Sequence, residues 1–203
     1  MDQTLSETQG LALIENGYLV CDTLFQDQFA SSLRDYALTL FERDQFRSAK
    51  TGQDVFEKHR PEIRSDQIFW IDDWNKNLLL NELNQTLESL KEEFNQLYYL
   101  SLRRFEGHFS VYEDGAFYKK HLDVHRNQRH RKITGILYLN DLEDQGELVL
   151  YKRENKQEVE KIIYPKTGRL VLFRSEQFYH EVKASYKKRS AVTFWFRDDM
   201  ELF

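Results

Sequence analysis

A chain of 203 residues with 40% hydrophobic and 14% aromatic residues can bury a sizeable core, which excludes a disordered chain. Its net charge of −5 comes from 29 basic and 34 acidic residues spread along the sequence, which argues against binding to a nucleic-acid backbone. The one cysteine, Cys21, excludes an internal disulfide and favours a reducing compartment. No run approaches the roughly 20 apolar residues of a membrane span. We therefore expect a single cytoplasmic domain over residues 1–203, a monomer or weak dimer with no nucleic-acid or membrane partner.

The first hundred residues are predicted to be mainly helical, with one strand. The run GYLVCDTLF (17–25) is rich in β-forming residues, and a helix over residues 27–43 follows it. The apolar residues of that helix recur at helical intervals: Phe29, Leu33, Tyr36 and Leu40. The polar stretch at residues 44–66 has no clear period and predicts a long loop, of a kind that is often functional.

A second helix is predicted between residues 75 and 97. Its apolar residues alternate steps of three and four: Leu80, Leu83, Leu87, Leu90, Phe94 and Leu97. Such a stripe is typical either of a helix that packs on a sheet or of a coiled-coil seam. Because the run is shorter than the three to four heptads that indicate a coiled coil, packing on a sheet is favoured.

Beyond residue 100 the sequence changes to short β-rich runs separated by polar turns. The runs are RRFEGHFSVYE, RKITGILYLND, GELVLYKRE, VEKIIYP, GRLVLFRS, HEVKAS and RSAVTFWFR. Short strands in this number, without helices between them, are typical of a sandwich or a jelly-roll barrel. The predicted fold class is α+β, with a jelly-roll (double-stranded β-helix) over about 101–197 backed by helices over about 1–100.

The segment FYKKHLDVHRN (117–127) contains a candidate metal site. His121 and Asp123 face the same side if the segment is extended, because residues i and i+2 of a strand do so. A histidine and a carboxylate are two thirds of the facial triad that holds non-haem Fe(II). An isolated H-x-D triplet has low specificity, since charged chains contain such triplets by chance. The best placed third ligand is His180, which follows the apolar run GRLVLF, whereas His108, His125 and His130 are interpreted as surface residues.

Arg189 begins the strand RSAVTFWFR and shares one face of it with Ala191, Thr193 and Trp195. If both faces of this strand are covered, the guanidinium points into an enclosed space, where it is costly without an anion. A carboxylate bound by both ends of the guanidinium would satisfy it. The alternatives are a pair with a protein carboxylate and an edge position with the head in solvent. The run ITGILYLN has the same alternation, which puts on one face Thr134, Ile136 and Tyr138.

The order H-x-D, a distant histidine and then an arginine nine residues later within R-x-A-x-T-x-W resembles the 2-oxoglutarate and Fe(II)-dependent dioxygenases. Within them the chain is similar to the prolyl hydroxylases, above all to the catalytic domain of the hypoxia-inducible-factor prolyl hydroxylases and their bacterial counterparts. The resemblance extends from GYLVCDTLF to FWFRDD and includes IRSDQIFWI, VYEDGAFYKKHLD, ITGILYLN and HEV.

The resemblance implies a role for each matching residue. His121, Asp123 and His180 would bind Fe(II). Arg189 and Tyr138 would hold the distal carboxylate of 2-oxoglutarate, with Thr193 nearby.

The other matching residues are assigned to the pocket and the substrate groove. Tyr112 would hydrogen-bond near the metal-bound carboxylate, and Trp195 would wall the pocket close to the target residue. Arg64 and Asp66 would shape the substrate groove, with Arg131 pairing with Asp66 across it.

The implied activity is hydroxylation of a prolyl residue in a protein substrate, such as a translation-related protein, with succinate and CO2 as co-products. Fe(II), 2-oxoglutarate and O2 would be required, with ascorbate as a further cofactor. Two alternatives stay open at this point. The same chemistry would act on a free small molecule such as an amino acid, or the chain would be a non-catalytic jelly-roll binding or sensor module.

Overall fold

The computed structural model describes residues 5–49, 60–124 and 128–200. The helices within these ranges are α1 (Glu7–Glu15), α2 (Asp27–Glu42) and α3 (Leu78–Tyr98). The strands are β1 (Tyr18–Cys21), β2 (Arg47–Ser48), β3 (Gln67–Trp70), β4 (Arg104–Tyr112), β5 (Ala116–His121), β6 (Arg131–Tyr138), β7 (Leu148–Lys152), β8 (Val159–Ile163), β9 (Leu170–Arg174), β10 (Phe178–Ser185) and β11 (Arg189–Arg197). The middle of the predicted loop, residues 50–59, lies outside the described residues, as does His125.

The strands form two antiparallel sheets that face each other. The larger sheet has seven strands in the order β1-β9-β6-β11-β4-β3-β2, and the smaller has four in the order β5-β10-β7-β8. Apolar side chains of both sheets meet in one buried cluster, in which Leu148 and Leu150 of β7 pack with Ile136 and Val171 of the larger sheet. This arrangement confirms the predicted jelly-roll backed by helices.

Helix α3 covers the outer face of the seven-stranded sheet. Asn77 caps its first turn by accepting a hydrogen bond from the backbone N–H of Leu80 at 2.9 Å, and Tyr99 ends it in the left-handed conformation at φ 52°. Five of the six predicted stripe residues are buried: Leu80, Leu83, Leu87, Leu90 and Phe94. The Phe94 ring lies 5.6 Å from that of Phe196 in β11, so the favoured interpretation of a helix on a sheet is confirmed.

The central strand β11 divides its side chains between the two faces of the larger sheet. Phe194 and Phe196 belong to the core beneath the helices, whereas Thr193 and Trp195 line the space between the sheets. The Phe194 ring lies directly against the backbone of Gly135 in β6. A Cβ at position 135 would overlap this ring, so the contact requires glycine. This alternation decides which residues of β11 are available to a ligand.

Residues 63–66 join the open edges of the two sheets. The backbone N–H of Ser65 donates to Phe117 at 3.0 Å and that of Lys119 donates to Ile63 at 2.8 Å, so the segment runs along β5 before it enters β3.

In the part of the chain that the structure describes, no helix is long and apolar enough to cross a membrane.

Candidate metal centre and its cavity

A cavity of about 720 Å³ lies between the two sheets. This volume is within the range of small-molecule sites in proteins. Its polar and charged walls come from both sheets and include His108, Tyr112, His121, Asp123, Arg131, Thr134, His180, Arg189 and Thr193.

Three possible metal ligands converge at one end of this cavity. His121 ends β5, Asp123 follows it by two residues, and His180 of β10 lies directly opposite His121 in the sheet register. One ligand atom from each residue lies within 4.8 Å of the others. His121 Nε2 is 3.4 Å from Asp123 Oδ1, and His180 Nε2 is 3.6 Å from Asp123 Oδ2. The predicted grouping of these side chains is therefore what the fold produces.

Backbone contacts orient the two imidazoles. His121 Nδ1 donates to the carbonyl oxygen of Lys119 at 2.8 Å, and His180 Nδ1 donates to that of Phe178 at 3.3 Å. With Nδ1 protonated, Nε2 carries the lone pair that a metal needs. Burial, followed by the neighbouring His121 ring, lowers the pKa of His180 to about 4, so this imidazole is neutral near neutral pH.

Asp123 is buried and held by two donors from the larger sheet. The Thr134 hydroxyl donates to Oδ2 at 2.7 Å, and the Trp195 indole N–H donates to the same oxygen at 2.8 Å. Ser175 lies 2.9 Å from the Thr134 hydroxyl and extends the network. Burial alone would raise the pKa of Asp123, but the His180 and His121 rings when they carry a second proton, and the Arg131 guanidinium, outweigh burial and hold this pKa well below its ordinary value. The carboxylate is thus ionised, and its Oδ1 is left for a ligand.

Arg189 forms a cationic site deeper in the same cavity. Its side chain is 2% exposed, and its Nε donates to the carbonyl oxygen of Gly146 at 3.1 Å. The guanidinium lies 4.8 Å from the Tyr112 ring and 4.9 Å from the Tyr138 ring. Arg189 Nη2 and the Tyr138 hydroxyl are both buried without a hydrogen-bond partner among the described residues. Buried polar groups are normally satisfied, so these atoms indicate a site for an anion with oxygen acceptors.

The shape of the turn before β7 contributes to this cationic site. Gly146 has φ +63°, and a Cβ at this position would lie 3.3 Å from Arg189 Cδ. Glycine therefore lets the turn approach the arginine stem closely enough for the carbonyl contact.

Of the residues predicted to shape the substrate groove, two arginines line the cavity and the aspartate does not. Arg64 and Arg131 line the cavity, but Asp66 is 1% exposed and binds Arg64 through both oxygens, at 2.8 and 2.6 Å. Arg131 binds Glu106 at 2.8 Å instead of Asp66 and lies 3.7 Å above the Trp195 ring. The predicted pair between Arg131 and Asp66 was wrong, because Arg64, two residues from Asp66 on the segment between the sheets, supplies a nearer partner.

Two aromatic contacts near the metal ligands were not predicted. The Tyr118 ring stacks on His121 with centroids 3.6 Å apart, and the Arg64 guanidinium lies 4.2 Å from the centre of the Tyr118 ring. Strict alternation along β5 would put Tyr118 and His121 on opposite faces. The register between β5 and β10 shifts between these two residues, so no pattern in the sequence indicates this contact.

His108 was predicted to be a surface residue, which was wrong. It is 3% exposed and lines the cavity between Trp70 and Trp195, with ring centroids 5.0 and 5.5 Å away. The period of two in GHFSVY, which puts His108 on the face of Ser110 and Tyr112, would have found it.

Comparison with known proteins gives matches over this region and over most of the chain. Residues 107–197 match the model of the 2OG-Fe(II) oxygenase superfamily. A hypoxia-inducible factor prolyl hydroxylase from Caenorhabditis elegans is 29% identical over 94% of this chain, which spans only 28% of the length of that relative.

Two solved prolyl hydroxylases have the same fold. A prolyl-4-hydroxylase from Pseudomonas putida superposes with a TM-score of 0.83 at 28% identity, over 95% of this chain and 98% of its own. A prolyl hydroxylase from Trichoplax adhaerens, solved with a peptide of the hypoxia inducible factor, gives 0.81 at 26% identity, over 98% and 96% of the two chains. The range matched by the superfamily model contains His121, Asp123, His180 and Arg189, and the resemblance seen in the sequence is confirmed: over residues 107–197 the chain is similar to the 2OG-Fe(II) oxygenase superfamily.

Proposed function

We propose that the protein is a dioxygenase that hydroxylates a prolyl residue of a protein substrate and converts 2-oxoglutarate and O2 to succinate and CO2. The observation that carries the proposal is one cavity that holds both a His-Asp-His group and a buried arginine whose Nη2 has no partner among the described residues. The similar solved structures that are prolyl hydroxylases support the choice of substrate class.

The three convergent ligands fit Fe(II). Two imidazole nitrogens and one carboxylate on one side of an ion, with the other side open, are the donor set of non-haem iron oxygenases. His121, Asp123 and His180 would hold the metal, and the Trp195 and Thr134 hydrogen bonds would keep the carboxylate in place.

The unpaired atoms at the far end of the cavity fit 2-oxoglutarate. Arg189 Nη2 and the Tyr138 hydroxyl would bind its distal carboxylate, with Tyr112 against the guanidinium and Thr193 farther along β11. Among the described residues no protein carboxylate is paired with Arg189, which removes one of the alternatives considered above. The bound metal and cosubstrate supply the oxidising chemistry, while the protein supplies orientation and a cavity shielded from water.

The opposite, open end of the cavity is the proposed place for the target residue. Trp70 is 41% exposed at this end, and Trp195 lies behind it with its N–H on Asp123. The Arg131 cation on the Trp195 ring fixes the orientation of that indole. A pyrrolidine ring that packs on these indoles would lie beside the metal ligands. We infer a cytoplasmic protein as the target, with translation-related proteins among the first to examine, and a monomeric or weakly dimeric enzyme.

The proposal is tested by anaerobic reconstitution with Fe(II) and 2-oxoglutarate, followed by O2 and a host lysate. We expect lysate-dependent succinate and a lysate protein that gains the mass of one oxygen atom on proline. Asp123→Ala should abolish both, whereas Asp114→Ala, at an exposed turn, should leave both intact.

Two outcomes would contradict the proposal. Undiminished turnover in Asp123→Ala would refute the ligand assignment. Succinate formation that depends on free amino acids and not on protein would replace the protein substrate by a small molecule.

A further inference from the structure

His108 is a buried polar side chain that the assigned chemistry does not use. It projects from β4 into the cavity, opposite Thr193 on one side and Trp70 on the other in the sheet register. The two nearest rings, Trp70 and Trp195, fix its orientation through edge and tilted contacts. An apolar residue would fill this position without leaving a polar group to satisfy.

The imidazole has an unused hydrogen-bonding group. Its Nδ1 is sealed from solvent and makes no hydrogen bond of normal geometry among the described residues, although the Phe109 backbone lies near the ring. Burial, followed by the charge of Arg64, lowers the pKa of His108 to about 3, so the ring is neutral and carries a single N–H. A sealed N–H without an acceptor is costlier than a sealed lone pair, which favours the proton on Nε2. The single N–H donor of the neutral ring is therefore Nε2–H, and Nε2 is not among the solvent-inaccessible atoms without a partner.

The position of His108 selects the kind of ligand that this donor would meet. Tyr112, beside the Arg189 guanidinium, lies four residues farther along β4, about 13 Å at the usual rise of a strand. His108 is also not part of the metal-binding group among the described residues. It lies instead between Trp195, whose indole contacts Asp123, and Trp70, which is exposed at the open end. A ligand that reaches His108 thus enters from the substrate side.

We propose that His108 determines substrate specificity by donating a hydrogen bond from Nε2 to a backbone carbonyl oxygen of the peptide next to the target proline. The inference rests on the proposed function, since it assigns one contact of the same site. A neutral donor suits the neutral amide carbonyl of a peptide. The flanking indoles would pack the pyrrolidine ring while the imidazole sets the register of the backbone.

The test uses two nearly isosteric replacements, His108→Met and His108→Gln. Methionine fills the space without a donor, and glutamine restores an N–H near the position of Nε2. The probe is a mixture of Ac-Xaa-Xaa-Pro-Xaa-Xaa-NH2 peptides with randomised flanking residues, and the readout is peptide-dependent succinate. In the methionine variant we expect the apparent KM for the mixture to rise about five- to tenfold, the loss of one hydrogen bond. The glutamine variant should return to within about twofold of the parent, and the dissociation constant of 2-oxoglutarate should not change.

The possible results separate this inference from the proposed function. An unchanged KM in the methionine variant would overturn the inference alone, as would equal rises in both variants, which indicate shape rather than a donor. Weaker binding of 2-oxoglutarate in the methionine variant would also overturn it, by assigning His108 to the cosubstrate. If the parent protein oxidises 2-oxoglutarate with free amino acids and never with the peptides, the proposed substrate class is wrong, and this contact is wrong with it.

Discussion

The two sheets differ in what covers their outer faces. The seven-stranded sheet is buried on both sides, with helices on one face and the cavity on the other, and β11 is almost continuously buried. The four-stranded sheet has solvent on its outer face, and its edge strand β8 is mostly exposed. Full burial produces unbroken apolar runs such as TFWF, whereas half burial produces alternation. The difference teaches that the larger sheet, packed on both faces, forms the more deeply buried wall of the cavity.

The sheets also contribute different parts of the site. The smaller sheet contributes His121 and His180, and the larger contributes Arg189 and the two donors that hold Asp123. Metal binding therefore depends on the spacing between the sheets, whereas the proposed anion-binding side chains, Arg189 and Tyr138, both come from the larger sheet.

The largest expected effect concerns stability and tests the difference in burial. Phe196 is fully buried against Phe94 and Phe105, so Phe196→Ala should lower the free energy of unfolding by about 3–5 kcal/mol. Ile162→Ala, at a residue of β8 that is 48% exposed, should cost less than about 0.5 kcal/mol. Urea unfolding measures both, and similar losses would contradict the comparison.

The next effect separates the anion site from the metal. Arg189→Met removes a buried cation that would pair with a carboxylate, so 2-oxoglutarate binding should weaken by roughly 2–5 kcal/mol, a factor of at least about 30. Arg189→Lys keeps the charge without the planar fork and should lose less. Anaerobic titration of the Fe(II) protein with 2-oxoglutarate, followed by absorbance, measures the affinity. Equal weakening of Fe(II) binding would show that the two parts of the site are not independent.

A smaller effect tests the hydrogen bond between the larger sheet and the proposed metal ligand Asp123. Thr134→Val removes the hydroxyl that donates to Asp123 while keeping the shape, so Fe(II) affinity should fall about 10- to 100-fold. Thr134→Ser keeps the hydroxyl and should remain close to the parent. Competition with a chelator gives the affinities, and a valine variant that binds Fe(II) normally would mean that the Trp195 donor alone holds the carboxylate.

The smallest effect lies at the edge of the larger sheet. Asp22, after β1, binds Arg169 at 2.6 and 2.8 Å and Lys166 at 3.0 Å, and the Arg169 hydrogen bonds lower the pKa of Asp22 to about 2. A depressed pKa stabilises the fold above the ordinary value of about 4, and this stabilisation is lost as the pH falls from about 4 towards 2. At neutral pH Asp22→Asn should cost less than about 1 kcal/mol, since the pair is partly exposed.

Urea midpoints of the parent and Asp22→Asn, measured at pH 7 and again near pH 2.5, check this sign. The difference between the two proteins should shrink at the lower pH. A difference that grows on acidification would contradict the assigned direction of the pKa shift.

The sequence predicted those features that local patterns encode. Helices α2 and α3, the jelly-roll strands and the pairing of His121 with Asp123 follow from periodicities of 3.6 and 2 along a single segment. The enclosed position of Arg189 was also predictable, because its strand is apolar on both faces. The two-residue strand β2 and the short β3 were not predicted, since neither is long enough to show a period.

Contacts between distant segments could not be predicted in this way. Arg131 lies close to Glu106 because β6 and β4 both pair with β11, a strand order that no local pattern encodes. The same order places Trp70 of β3 and Trp195 of β11 on either side of His108, although the period of two along β4 already gives the face on which His108 lies. In each case the partner was decided by strand pairing over long separations in the chain.

The two hydrogen bonds to Asp123 Oδ2 decide how many coordination positions remain. With that oxygen occupied by Trp195 and Thr134, the carboxylate offers a metal one oxygen rather than two. A six-coordinate ion held by one atom each of His121, Asp123 and His180 would keep three positions open, and these would suffice for a 2-oxo acid and O2. A carboxylate free to bind through both oxygens would leave two vacancies, and the keto acid alone would fill them.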